Sequence, residues 1–532
     1  MSPQRLTGSA PLSPAPTLVE SRVPQYSNAR KYSLLLIFCL AQFLDAFNNS
    51  ALFSAIPSLI RDLNITESES TWIISAFQLT FASFLLISGK ISDIYNPKHA
   101  FIAGAAILGC LSIGAGFVTD KITLIVLRAL SGIAASLTIP SALTLLVNLF
   151  TDSEEQARAI GVFGGCGAIG NVLGLIIGAI FIEFANWSWV FWFVALVAIP
   201  ISGVCTFLIP PQLKREDDDQ VQAAKWKSLD LLGISILTAA LILFIFAVTS
   251  GSSSGWASAG VLVPLIISVF MVVGFFVYET KIPAEVAAVP PSTWFLPNFA
   301  VLFGVALLPY FWWTTIFTIF TTLWQQFYGW SAIETALRML PIGALAFAIS
   351  FTGGLSRIVS PKWILLSAQG LLVIATILLH FADGPDKYFK FVLPAFILGT
   401  SGCMFTYTHT NIAIFRTSPA SMAGTVGAIF NGALQLGSAV GLAAVSSIET
   451  SVEASHGGPT SYAGRAAAFW FLLAVVCIEA ISLTIFYRVE AEHKAHVEVV
   501  EEVPVNSGKL EKLESAVQTP MDEKAEFRLS PV

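Results

Sequence analysis

The sequence predicts an all-α polytopic membrane protein: two related six-helix bundles with two extra central helices, about fourteen spans in all. The first observation is composition. Of 532 residues, 55% are hydrophobic and only 12% charged, whereas a soluble domain carries about 25% charged residues. Such a chain must be solvated by lipid. The second is the recurrence, between Tyr32 and Tyr487, of apolar stretches of about 20 residues, the length that crosses a bilayer as a helix. The third is a repeat. Gly89-Lys90-Ile91-Ser92-Asp93-Ile94-Tyr95-Asn96-Pro97-Lys98 returns as Gly353-Gly354-Leu355-Ser356-Arg357-Ile358-Val359-Ser360-Pro361-Lys362. Each copy is a polar turn that closes one apolar run and opens the next, and a repeated hairpin implies a repeated half. Membrane proteins of two related helical halves rock one half against the other around a central site.

Taken in order, residues 1–31 are polar and rich in Ser and Pro, without the apolar core of a removable signal, and are expected to be a disordered tail. The first span is expected near 32–56, closed by Pro57, and spans near 71–92, 99–118, 122–149, 159–183 and 188–209 complete an N-terminal bundle over 32–209. Residues 210–297 hold a charged linker from Lys214 to Lys227, apolar runs near 229–250 and 261–279, and a Pro-rich break. These two runs have no counterpart in the repeat. A C-terminal bundle over 298–487 follows, with spans near 298–325, 334–356, 363–381, 389–412, 422–448 and 466–487, and then a mixed-charge tail over 488–532. An even number of spans puts both tails on one side. Arg30, Lys31, Lys90, Lys98, Arg158, Lys214, Arg215, Lys362 and Arg416 fall on that side, against fewer cations opposite, so the positive-inside rule makes the tails cytoplasmic. The acceptor sequons at Asn64 and Asn186 then face outward.

Several function classes find no support. The formal charge of −6 sits mainly in tails and loops with no basic patch, which excludes a nucleic-acid role. The six cysteines lie inside expected spans without metal-ligand spacing, and read as small packing residues. No phosphate-binding GxxxxGK[ST], catalytic triad or metal cluster occurs, so neither ATP-driven pumping nor enzyme chemistry is expected, and no cofactor or metal. An ion gradient is the expected energy source.

Ionisable groups at membrane depth cost a few kcal/mol on insertion scales, so each is a functional candidate. Asp45 lies near the middle of the first span, with Asn48 and Asn49 on its face at i+3 and i+4. A desolvated carboxylate there can take and release protons, or serve as a structural hydrogen-bonding group. Arg128 in the fourth span needs an acceptor, for which Asp45 is one choice, and its role is either coupling or structural. In the fifth span Gly170, Gly174 and Gly178 form a stripe that lets two backbones approach, with Asn171 beside it able to face a cavity. In the second half, His409 is a proton-carrying candidate or a neutral hydrogen-bonding residue near the membrane boundary. Tyr407 and Asn411 share its span, and Asn431 and Gln435 share a face of the next. Tyr310 and Trp313, in a span rich in tryptophan and threonine, offer aromatic faces suited to flat or cationic small molecules, or interfacial anchors. Glu479 in the last span has no obvious partner.

The loop Gly89 to Lys98 resembles the motif between the second and third helices of the major facilitator superfamily, and the resemblance extends over nearly all of 32–487. Leu44-Asp45 through Ala55-Ile56-Pro57 is similar to the first-helix motif of the fourteen-span drug:proton antiporters, while Arg128, Gly132 and the fifth-helix glycines match two further motifs. Trp187-Ser188-Trp189-Val190-Phe191 resembles fungal members related to aminotriazole-resistance proteins and low-affinity ammonium transporters. The resemblance implies alternating access and proton-coupled export, with Asp93 locking the cytoplasmic side and Arg128 linked to proton movement. Gly89, Lys98 and Arg357, from the two copies of the loop, join Asp93 as gate candidates. The match has departures: Ile94, Asn96 and Pro97 replace a basic residue, a Gly and an Arg, while Leu175 and Ala179 replace a Pro and a Gly. The expected function is proton-coupled export of small toxic organic compounds, with import or facilitated movement of a small solute such as ammonium as the alternative. The expected partners are a small-molecule substrate, protons and the lipid bilayer. A monomer in the plasma membrane, rather than the vacuolar one, is expected.

Overall fold

The computed structural model describes residues 27–65, 67–150, 152–209, 230–283, 287, 289–418, 422–453, 455–458 and 461–489. The expected tails and the charged linker lie largely outside these residues, as do the side chains of Asp93 and Arg357.

Among the described residues, fourteen helices are long and apolar enough to cross a membrane. They are α1 (Asn28–Leu63), α2 (Glu67–Ile94), α3 (Pro97–Gly116), α4 (Lys121–Leu149), α5 (Ser153–Phe184), α6 (Ser188–Leu208), α7 (Leu231–Ser254), α8 (Ala259–Glu279), α9 (Phe299–Phe327), α10 (Ala332–Ser356), α11 (Pro361–His380), α12 (Pro385–Arg416), α13 (Ala423–Glu453) and α14 (Ala463–Phe486). No strand interrupts them among the described residues. Several starts differ from the hydropathy reading, and at two of them a capping side chain explains the shift. α1 begins at Asn28 because the Ser27 hydroxyl accepts from the Arg30 amide, and α5 begins at Ser153 because the Asp152 carboxylate accepts from the amides of Glu154 and Glu155. Caps extend helices into polar sequence where hydropathy is silent. At α4 the Asp120 carboxylate is held below its usual range by the amide and hydroxyl of Thr123. α4 and α9 each break, at Leu137 and Leu307, where the chain passes from one helical segment to the next.

Lipid gives helices little hydrophobic reason to associate, so close backbone approach at small residues does the work. α5 receives α1 at Gly170, Gly174 and Gly178: a Cβ at Gly174 would stand 1.9 Å from the Ser50 hydroxyl and 3.2 Å from the Phe47 Cα. The second half does the same, with Gly437 and Gly441 of α13 against Leu307 and Phe311 of α9. One core gathers Phe38, Phe47, Phe77, Phe101, Leu124 and Phe191 of α1–α6. Another gathers Leu302, Trp312, Leu372, Phe396, Phe430 and Leu472 of the later helices.

The two groups of helices meet along two seams. α5 lies on α10, where a Cβ at Gly165 would meet the Ser350 Cβ at 2.3 Å and one at Gly353 would meet the Ala157 carbonyl at 2.8 Å. α2 lies on α13, where a Cβ at Gly89 would meet the Gly424 carbonyl at 2.6 Å. Gly89 and Gly353, the leading glycines of the repeated decapeptide, thus occupy corresponding places at the two seams. The closing lysines correspond too. Lys98 Nζ donates to the carbonyls of Thr206 and Ile209 at the end of α6, and Lys362 Nζ to those of Thr484 and Tyr487 at the end of α14. α7 rests on α2, through Phe246 against Trp72 at 5.5 Å, and packs on α13; just beyond its end, in the turn to α8, Trp256 Nε1 donates to the Ser447 hydroxyl of α13 at 2.7 Å.

Candidate functional site

α1 carries a buried polar face of Gln42, Asp45, Asn48 and Asn49. Opposite it, Arg128 of α4 is 1% exposed, and each nitrogen of its fork has an acceptor. Nε donates to the Ile73 carbonyl at 2.9 Å, Nη1 to Asn48 Oδ1 at 2.8 Å and Nη2 to Asn49 Oδ1 at 3.4 Å. The guanidinium also lies over the Phe77 ring, 4.6 Å from its centre. The acceptors are all neutral. Asp45 lies within electrostatic reach of Arg128, yet its Oδ1 is buried without a hydrogen-bond partner. The Asp45–Arg128 pairing, one choice the sequence offered, is thus replaced by a guanidinium held on amides and a backbone carbonyl, with the carboxylate left over. An amide at i+3 and i+4 reaches the arginine because its side chain projects from the same face of α1.

The second half completes the cluster. Asp45 lies within electrostatic reach of Tyr310 on α9 and Tyr407 on α12, whose rings stack in parallel with centres 6.4 Å apart. Trp313 stands 6.0 Å from Tyr310, with its indole N–H buried and unpartnered. Phe430 closes the far side of Tyr407 at 5.5 Å. Gly164 of α5 makes room for this ring, since a Cβ there would lie 2.1 Å from Tyr407 Cε1. The site is therefore built from both halves. A groove of about 500 Å³ between α3 and α6, lined by Ile113, Phe117, Trp192, Ala195, Leu196, Ile199 and Pro200, shares no residue with it.

The other candidates divide. Asn411 is buried with Oδ1 unpartnered, like the hydroxyls of Thr406, Thr408 and Thr410 beside it. Asn431 spends an N–H on the Gly427 carbonyl of its own helix at 2.9 Å, as Asn171 does on Gly167 at 3.3 Å. Gln435 is buried. His409 is fully buried, both ring nitrogens lack a partner, and Phe405 stacks on it at 6.1 Å. Neither nitrogen makes the hydrogen bond expected of a neutral polar residue, along a stretch of α12 that is buried from Thr406 to Ile414. Of the gate candidates, Gly89 reaches a seam while Lys98 is spent within its own bundle. Gly170, Gly174 and Gly178 pack α5 on α1 and stand away from the cluster's polar atoms.

Sequence reasoning missed two groups, Gln42 and Arg465, and the partner of a third, Glu479. Gln42 shares the Asp45 face at i−3, and its Oε1 is buried and unpartnered; the heptad spacing Gln42, Asp45, Asn49 was the available signal. Glu479 has a partner after all, accepting from Gln369 Nε2 at 3.5 Å. Arg465 of α14 is 2% exposed and lies 3.3 Å from Glu449 and 3.8 Å from Glu453 of α13. Its place at a span's edge hid it.

Fourteen apolar helices, two seams and a polar cluster shared between halves define a membrane transporter. The chain belongs to the Major Facilitator Superfamily, whose family model matches residues 38–442. It is 27% identical to the major facilitator superfamily multidrug transporter mfsC of Aspergillus fumigatus, over 88% of this chain and 90% of that protein. It is 28% identical to the puromycin resistance protein pur8 of Streptomyces alboniger, over 82% and 86%. The efflux pump terJ of Aspergillus terreus is 24% identical, over 87% and 89%. Among solved structures, the proton:xylose symporter XylE bound to 6-bromo-6-deoxy-D-glucose superposes with a TM-score of 0.59 at 12% identity, over 87% of this chain and 97% of that one. The human organic anion transporter MFSD10 gives 0.59 at 15% identity, over 85% and 99%. These two share the fold.

Proposed function

We propose that the protein is a proton-coupled exporter of small toxic organic compounds, working by alternating access with its tails in the cytoplasm. The observation that carries this reading is the division of labour between Asp45 and Arg128. Arg128 already has an acceptor for each nitrogen of its fork, so Asp45 is left as a buried carboxylate with an unpartnered oxygen. An ionised carboxylate without a partner in such a place costs several kcal/mol. A proton removes that cost, and so does a bound cation. Two occupants competing for one carboxylate make an exchanger: loading the substrate displaces the proton, and a returning proton displaces the substrate. The stacked Tyr310 and Tyr407 and the Trp313 ring supply faces that attract a flat cationic or aromatic compound. Relatives named for multidrug transport, puromycin resistance and efflux support the outward direction.

The test is accumulation of a small panel, including aminotriazole and methylammonium, in cells expressing the native chain or Asp45→Asn, with and without a protonophore. The native chain should lower accumulation of at least one compound, and both the protonophore and Asp45→Asn should abolish that reduction. Raised accumulation would instead make the protein an importer. Efflux indifferent to both treatments would leave Asp45 a structural group.

A further inference from the structure

α1 and α5 run side by side in one direction, and their register advances by four residues on both helices. Gly170 meets Phe43 and Ala46, Gly174 meets Phe47 and Ser50, and Gly178 meets Ala51. One step back along this ladder brings position 39 of α1 to position 166 of α5, and both are cysteines. Their side chains come within electrostatic reach of each other. Cys39 is buried and Cys166 is partly exposed. On either side of Cys166, Gly164 holds the Tyr407 ring and Gly167 holds the Gln42 amide, so the thiols adjoin the central cluster. The remaining cysteines, Cys110, Cys205, Cys403 and Cys477, lie on four other helices.

Coordination chemistry narrows what this pair can hold. Among the described residues no group of three or more His, Cys, Asp or Glu side chains gathers anywhere, which leaves two sulfurs and no third protein ligand. Zinc in a protein site wants three or four such ligands. Two thiols alone suit a soft, sulfur-seeking centre. Thiols set side by side at one step of the ladder suit a pyramidal centre that keeps its two sulfurs as near neighbours, and disfavour a linear ion that holds them on opposite sides.

We propose that Cys39 and Cys166 form a dithiol site for trivalent arsenic compounds, in which one arsenic(III) centre bridges α1 and α5. For an arsenoxide the step is R–As=O plus two thiols giving R–As(S–Cys)₂ and water. Two S–H bonds break, two As–S bonds form, and the oxygen leaves with both protons. Arsenic stays trivalent, so no oxidant or reductant is involved. The bridge ties the helix that carries Asp45 to the helix that forms the seam with α10.

The experiment uses the purified full-length chain in detergent, treated with one equivalent of phenylarsine oxide, which is small and lipid-soluble. Excess monothiol then strips singly attached arsenic, and intact mass reads what remains. The native chain should keep one arsenical and release it to 2,3-dimercaptopropanol. Cys39→Ser and Cys166→Ser should each lower retention roughly tenfold or more, because the second bond of a chelate acts at high effective concentration. Cys403→Ser should retain it as the native chain does. Retention unchanged in Cys39→Ser or Cys166→Ser, an equal loss in Cys403→Ser, or no retention by the native chain would overturn the assignment. Each variant is checked for monodisperse elution, and Cys39→Ala and Cys166→Ala take the place of any serine variant that aggregates. The measurement involves no transport, so its failure leaves the exporter reading standing, and the reverse holds equally.

Discussion

Arg128 owes its burial to amides rather than to a counter-charge, and this separates its contribution from that of Asp45. A lysine at 128 offers one ammonium where the guanidinium serves Ile73, Asn48 and Asn49 from three nitrogens. Hydrogen bonds to charged groups are worth about 1.5–3 kcal/mol each. Arg128→Lys should therefore lower both thermal stability and transport, the latter by about tenfold or more for each 1.4 kcal/mol lost from the working state. Asn48→Leu should act in the same direction, since it strands Nη1 inside the protein at a cost of about 1–3 kcal/mol. Asp45→Asn differs in kind. It leaves every Arg128 contact in place, so thermal unfolding of the purified protein should hardly move while gradient-dependent efflux disappears. A large drop in melting temperature for Asp45→Asn would show that the carboxylate supports the fold and would remove the reason for assigning it the proton.

At the scale of the helix, α5 has two glycine faces with different duties. Gly170, Gly174 and Gly178 bring α1 close within one bundle, whereas Gly161 and Gly165 lie on Ser350 of α10 across the seam. A leucine at 174 runs into the Ser50 side chain and the Phe47 backbone, neither of which can leave without separating α1 from α5. Overpacking of this kind costs about 1–3 kcal/mol and sometimes more. Gly174→Leu should lose most of its folded yield on size-exclusion chromatography. Gly165→Leu meets the Ser350 Cβ, at a contact that the proposed alternating access would break. It should fold, and should shift the protein toward the state with this seam open. Thiol labelling at Ala157→Cys, buried at the seam against Gly353, should rise severalfold in that background. Equal yields for the two leucine variants would mean that the seam is as permanent as the bundle.

For the molecule as a whole, hydropathy and the repeat made the helices legible, because a lipid-solvated helix announces itself by length and apolarity alone. The expected span 122–149 and the observed Lys121–Leu149 are nearly one reading. What they could not supply was partnership. Nothing in the spacing of Asn48 and Asn49 says that they, and not Asp45, accept from Arg128, and nothing around His409 says that its helix is enclosed. Nor could the repeat place α7, which has no counterpart and yet packs on one helix of each half, α2 at Trp72 and α13. The seams are likewise a property of two halves brought together, and the proposed alternating access requires them to move. Besides the α2–α13 contact at Gly89, α4 reaches α13 at Gly427, where a Cβ would stand 3.7 Å from that of Leu143. A disulfide wants a Cβ separation of about 3.5–4.5 Å, so Leu143→Cys with Gly427→Cys can be joined in the observed arrangement. In a Cys39→Ala, Cys166→Ala background that removes the native neighbouring thiols, oxidation should trap this arrangement and stop transport, reduction should restore it, and each single variant should ignore the oxidant. If the joined chain instead transports at the native rate, the two halves do not part between α4 and α13, and rocking about a central site is the wrong description of how this protein works.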